Sequence, residues 1–232
     1  MKKHLFLLLL TFTVLFCAQA QSLGAGVSID AQGSLKINAP LYILDKNPQK
    51  PGIKRAPTSL NLPVVAGFHI GDDFGQLEVT GGIVKGRISL IIKKPDEVFL
   101  VTAASLLNIP SVRFTSGADV KVGDMSFYAD DSEYNYRIML FSNFHVEGPL
   151  PTYDYEQYDI NGVLYKYIYS LGEVIISGNV DKNYGVKETS YRKFDIRLKN
   201  GWNVTKYNPD KPDDTLTSSL PPSNAVWVLF EI

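Results

Sequence analysis

The chain has 232 residues, of which 45% are hydrophobic, a balance that fits a globular fold and excludes an extended disordered chain. Its 23 basic and 24 acidic side chains nearly cancel, and no basic stripe or Lys/Arg cluster points to nucleic acid. One cysteine, Cys17, leaves no partner for a disulfide framework.

The first element is a leader. Lys2 and Lys3 precede an apolar run over residues 5–16, broken only by Thr11 and Thr13, and Ala18-Gln19-Ala20 forms a small-x-small site before Gln21. That order predicts a signal helix over residues 1–20, cleaved in the mature protein and too short to anchor it in a bilayer. The expected destination is the periplasm or the cell surface. A lipid anchor at Cys17 is the lesser alternative, because lipoprotein signals want a small residue before the cysteine and Phe16 stands there. About 212 residues remain, with 21 basic and 24 acidic side chains and a net charge of −3.

Residues 21–44 hold a hairpin candidate, in which residues 27–30 and 34–37 flank Ala31-Gln32-Gly33, and the glycine can take the left-handed conformation. Pro48, Pro51, Pro57 and Pro63 then remove donors and restrict φ, so residues 45–63 read as a linker or arm. A β domain over residues 64–232 follows. Residues 83–93, 125–129, 136–144, 173–180 and 225–232 are rich in β-branched or aromatic side chains and are predicted as strands. Residues 194–198 alternate, with Phe194, Ile196 and Leu198 on one side and Asp195 and Arg197 on the other, as a half-buried strand requires. Residues 96–107 are the one helix candidate, with Asp96 as cap.

Two Asn-Gly dipeptides, Asn161-Gly162 and Asn200-Gly201, sit between β-rich runs and predict type I′ hairpins. Two-residue loops there would set Tyr158 opposite Tyr165, Asp195 opposite Lys206 and Phe194 opposite Tyr207. Closely spaced strands without alternating helices argue for an antiparallel β-sandwich, with a closed or partly open β-barrel as the alternative. Residues 210–224 read as a long polar loop.

Chemistry is sparse. His69 lies near Asp72 and Asp73, a pattern open to a metal site or a carboxylate-oriented base, but without the spaced ligands a metal centre needs. Asp130, Asp131 and Glu133 offer oxygen ligands for calcium, yet lack the alternation and glycine of a calcium loop. No Gly-x-Ser-x-Gly elbow or phosphate-binding glycine loop is present. The remaining feature is aromatic. Tyr153, Tyr155, Tyr158, Tyr165, Tyr167 and Tyr169 crowd the first Asn-Gly site, and exposed tyrosines stack on sugars or dock partners. Tyr153, Tyr155, Tyr158, Tyr165, Tyr167 and Trp202 are the candidate binding residues. Aromatics of this kind also serve simply as sheet residues.

Asn200-Gly201-Trp202-Asn203-Val204, followed by a loop and Ala225-Val226-Trp227-Val228, resembles the C-terminal region of uncharacterised exported proteins of spirochaetes and Bacteroidetes. Residues 122–141 are loosely similar as well, so the likeness covers about the last half of the chain. It implies a surface or periplasmic β protein and carries no catalytic residues or cofactor. The expected function is therefore a non-enzymatic exported β domain that binds an envelope partner or glycan. A small hydrolase or metal-dependent enzyme using His69 with Asp72 or Asp73 is the alternative. An outer-membrane barrel is the second, disfavoured by apolar Trp227 and Leu229 at alternating positions of the last strand.

Overall fold

The computed structural model describes residues 21–45, 52–70, 73–106, 112–131, 134–147, 159–179, 193–208 and 215–231. The leader, with Cys17, lies outside the described residues. In chain order the elements are β1 (Gln21–Gly24), β2 (Val27–Ile29), β3 (Leu35–Asp45), β4 (Gly52–Arg55), β5 (Leu62–Ile70), β6 (Asp73–Gln76), β7 (Val79–Val84) and β8 (Arg87–Ile92). A single 3-10 turn (Glu97–Phe99), β9 (Val101–Thr102) and the four-residue α1 (Ala103–Leu106) come next. Then follow β10 (Val112–Ser116), β11 (Lys121–Asp131), β12 (Tyr134–Glu147), β13 (Asp159–Ser170), β14 (Val174–Asn179), β15 (Lys193–Leu198), β16 (Gly201–Tyr207), β17 (Thr215–Ser218) and β18 (Val226–Glu231).

The protein is mostly β, and its strands form one connected sheet. Ladder pairs run from β3 through β8, β7, β5, β11, β12 and β18, and β18 pairs back onto β3. All of these are antiparallel except β18 with β3. From β12 the sheet continues through β13, β16, β17, β15 and β14 to β10.

Period-two alternation explains where the cores sit. On β8, Ile88, Leu90 and Ile92 are buried while Arg87, Ser89 and Ile91 face out, so that strand is covered on one side. β13 is covered on both. Its Tyr165, Tyr167 and Tyr169 enter the largest core with Trp202, Trp227, Leu35 and Ile37. On the opposite face, Ile168 joins a second core with Val122, Ile176, Ile196, Leu198 and Leu216, and Leu164 joins a third with Phe141, Val228 and Phe230. Strands buried on both faces read as nearly continuous apolar runs.

The hairpin expected within residues 21–44 forms. Val27 pairs with Ile37 and Ile29 with Leu35, and Gly33 takes φ +81°. It does not form a separate unit, because Leu23, Val27 and Leu35 share the largest core with strands from the rest of the chain. Nor do residues 45–63 act throughout as a linker. Gly52–Arg55 pairs with the end of β3, because the prolines fall outside those four positions and leave their N–H groups free for the ladder.

Four local expectations are corrected. Residues 83–93 are two strands, not one, since the chain reverses at Lys85-Gly86, both at positive φ (50° and 69°), with Val84 opposite Arg87. The helix over residues 96–107 shrinks to two short turns. Asp96 makes no side-chain cap and Leu100 is extended (φ −110°, ψ 143°), burying its side chain in the core instead. Asn161-Gly162 makes no hairpin. It lies within β13, with Asn161 opposite His145, and Tyr165 faces Leu140 rather than Tyr158, which lies outside the described residues. The freedom of Gly162 (φ +149°) is spent opposite a bulge in β12, where Asn143 takes φ +54°. At Asn200-Gly201 the chain does reverse, but β15 and β16 are not ladder partners. β17 lies between them, so Phe194 is opposite Leu216 and Lys206 opposite Thr217.

Candidate functional site

The sequence-predicted aromatic platform is not a surface where it is described. Tyr167 is 1% exposed and stacks on Trp227 (ring centroids 6.0 Å, 7° between planes), and Phe127 meets both rings edge-on. Tyr165 is likewise buried, with its phenol 3.1 Å from the Ser142 hydroxyl. Alternation along β13 turns these side chains into the largest core, so Tyr165 and Tyr167 are core residues and do not present an exposed aromatic face. Tyr153, Tyr155 and Tyr158 lie outside the described residues.

The acidic candidates sit at a strand connection. Asp130 and Asp131 end β11, opposite Asn135 and Tyr134 of β12, and Glu133 lies outside the described residues. Asp72 lies outside them as well. His69 is on the outer face of β5. Its Nε2 is 3.1 Å from the Tyr128 phenol and its ring packs against Phe74 (centroids 5.2 Å). Asp73 opens β6 opposite Ile70. No group of three or more His, Cys, Asp or Glu positioned for a metal ion occurs among the described residues.

Among the described residues, Trp202 is the predicted binding residue that lines a large open depression. The corner before it is locked by Asn203. That side-chain amide donates to the carbonyls of Lys199 (2.7 Å) and Gly201 (2.8 Å), and its oxygen accepts from the Lys199 N–H (2.8 Å). The Trp202 indole N–H donates to the Gly33 carbonyl at 3.0 Å, and its ring meets Tyr169 edge-on at 4.9 Å. Where β15 and β16 separate, the Ser218 hydroxyl accepts from the Arg197 N–H and donates to the Arg197 carbonyl, both at 2.9 Å. These contacts fix the wall of an open depression of about 440 Å³, with Trp202 and Tyr169 at its base and Gln21, Lys199, Asn200 and Leu220 among its rim. Trp202 is 6% exposed, so it forms a rigid floor and not a projecting platform. Leu220, 57% exposed, adds an apolar contact at the rim. An apolar base with amide and ammonium groups above it suits a ligand with one flat apolar face and a hydrogen-bonding edge.

A second cavity, of about 100 Å³, lies in the second core. Ala103, Ile176, Ile196, Leu198 and Leu216 make its apolar wall, and Asp124, Lys166, Thr205 and Tyr207 its polar side. The polar group is built by register: Lys166 of β13 is directly opposite Thr205 of β16, and Lys166 Nζ meets Asp124 Oδ2 of β11 at 2.7 Å. Thr205 is 1% exposed, and neither its Oγ1 nor Asp124 Oδ1 has a hydrogen-bond partner among the described residues. Burial pushes the Tyr207 phenol up from its ordinary value. Lys166 opposes that shift, Asp124 adds to it, and Arg137 opposes it. Sequence reasoning missed this group because its members come from three strands and match no linear motif; one charged residue inside the apolar alternation of β13 was the available signal.

Comparison of the chain with protein-family models, with curated proteins and with solved structures finds no match.

Proposed function

We propose that this protein is exported to the periplasm or cell surface and there binds a glycan of the cell envelope, without catalysing a reaction. The observation that carries this reading is the depression over Trp202, where a fixed indole and Tyr169 lie beneath the amides and ammonium of Gln21, Asn200 and Lys199. Sugar rings offer the complementary surface, an apolar C–H face with hydroxyls around its edge. The leader over residues 1–20 supports the compartment. Lys36, Asn38, Arg87 and Ser89 alternate outward along β3 and β8, which favours a sheet facing water over one facing lipid. No helix among the described residues is long and apolar enough to cross a membrane.

Retention on immobilised envelope polysaccharides tests the reading, comparing the protein with a Lys199→Ala, Leu220→Ala double variant. Both side chains are exposed at the rim, so the fold should survive. Retention by the parent protein and a loss of affinity of about tenfold or more in the variant, roughly 1.4 kcal/mol, is the expected result. Equal retention of the two proteins, or capture of an envelope protein instead of polysaccharide, defeats it.

A further inference from the structure

We infer that the cavity of the second core is a binding site for a small neutral molecule with an apolar body and a hydrogen-bond-donating head, of the class of short primary carboxamides. The site is distinct from the depression over Trp202, since the two share no lining residue. Three observations converge on it. The first is an apolar wall of Ala103, Ile176, Ile196, Leu198 and Leu216, closed off from the main core by β13 and β16. The second is the hydroxyl of Thr205, 1% exposed and unpartnered among the described residues, which buried hydroxyls seldom are. The third is Asp124. Its Oδ2 is held by Lys166 at 2.7 Å while its buried Oδ1 is left without a donor.

These two atoms set the chemistry of the guest. A carboxylate oxygen only accepts, so the ligand must bring an N–H or O–H to Asp124. The Thr205 hydroxyl can donate, so a carbonyl beside that N–H would be met as well. A primary carboxamide carries both in one planar group. The Asp124–Lys166 pair already balances its own charge, which favours a neutral head over an ionic one. Size sets the other limit. An apolar cavity of about 150 Å³ accommodates benzene, so about 100 Å³ takes a body of roughly four or five non-hydrogen atoms.

Propionamide and butanone are matched probes, equal in heavy atoms and differing in that the amide NH2 is replaced by a methyl. Each is titrated into the protein while the methyl NMR signals of Ile176, Ile196, Leu198 and Leu216 are followed. Propionamide should shift these signals saturably, at least tenfold more tightly than butanone. Thr205→Val keeps side-chain volume and strand preference but removes the donor to the carbonyl that both probes carry, so it should weaken both while the preference for propionamide, set by Asp124, remains. Ala103→Leu fills the space and should abolish both responses. Equal affinity for the two probes in the parent protein overturns the assignment of the polar head. Absence of a saturable response to either probe shows a cavity holding only water, and overturns the site. Neither result bears on polysaccharide retention at the depression.

Discussion

Tyr167 shows how much one hydroxyl can matter in a two-sided sheet. Its ring is fixed between Phe127 and Trp227, and such aromatic contacts contribute about 0.5–1.5 kcal/mol each beyond simple burial. Its phenol oxygen, however, has no hydrogen-bond partner among the described residues. Tyr167→Phe removes an unsatisfied polar atom and keeps the stack, so stability should be unchanged or rise by about 1 kcal/mol in urea unfolding at neutral pH. A loss of more than that would mean the hydroxyl is satisfied after all. Burial also raises the Tyr167 phenol well above its ordinary value. The unfolded chain therefore releases its proton first as pH climbs. Stability is full below the ordinary phenol value near pH 10 and falls above it, and in the Phe variant that fall should flatten. Asp30 works in the opposite direction. The Ser34 N–H at 2.9 Å leads, with Gln32 and Lys36 also contributing, in holding its carboxyl below the usual range. Its contribution is present above the ordinary carboxylate value and is lost as pH falls through the lowered one. An Asp30→Asn variant should show a shallower acid limb in thermal melts across that range.

Turns decide which strands meet. Gly33 and Gly86 both adopt positive φ, yet their surroundings differ. A Cβ at Gly33 meets nothing within 4 Å, so Gly33→Ala should cost only the backbone penalty of about 1 kcal/mol. A Cβ at Gly86 would lie 2.5 Å from the Ala56 carbonyl and 2.7 Å from that of Pro57, so Gly86→Ala should cost roughly 2 kcal/mol or more. Equal chemical-denaturation midpoints for the two variants would refute this ordering. The same elements show what was legible beforehand. Gly33 between two short alternating runs was readable, because a three-residue loop with a left-handed glycine is a local matter. Lys85-Gly86 was not, because lysine gives no turn signal and the glycine is required by a carbonyl supplied by Ala56. Asn161-Gly162 misled for the converse reason. Dipeptide preference says that positive φ is tolerated there, but the bulge at Asn143 across the ladder determines how that tolerance is used.

The three cores are joined by shared strands. β11, β13 and β16 present one face to the largest core and the other to the second, so neither core can open without exposing the back of the same strands. The two tryptophans bind the halves of the chain further. Trp202 donates to the Gly33 carbonyl and Trp227 to that of Ala25, each at 3.0 Å. Unfolding should therefore be one cooperative event. Trp202→Phe and Trp227→Phe variants each leave a single indole reporter. In each, the fluorescence midpoint in urea should coincide with that from far-UV circular dichroism. A fluorescence transition separated from the dichroism transition would show independently melting parts.

Composition and alternation were enough to establish a mostly β chain, the strand over residues 194–198, the last strand now seen as Val226–Glu231, and the N-terminal hairpin, because period two is written into consecutive residues. Which face each strand buries was already ambiguous for β13, whose two sides are both apolar. Its tyrosines read equally well as a surface or as a core, and the choice went to packing by partners far along the chain, such as Trp227 stacked on Tyr167. The pairing of β17 between β15 and β16, the floor made by Trp202 and the Asp124–Lys166–Thr205 group all arise from cross-strand neighbours that no local pattern encodes. Register between distant strands is set by the total burial of all of them together, and that sum exists only in the folded chain.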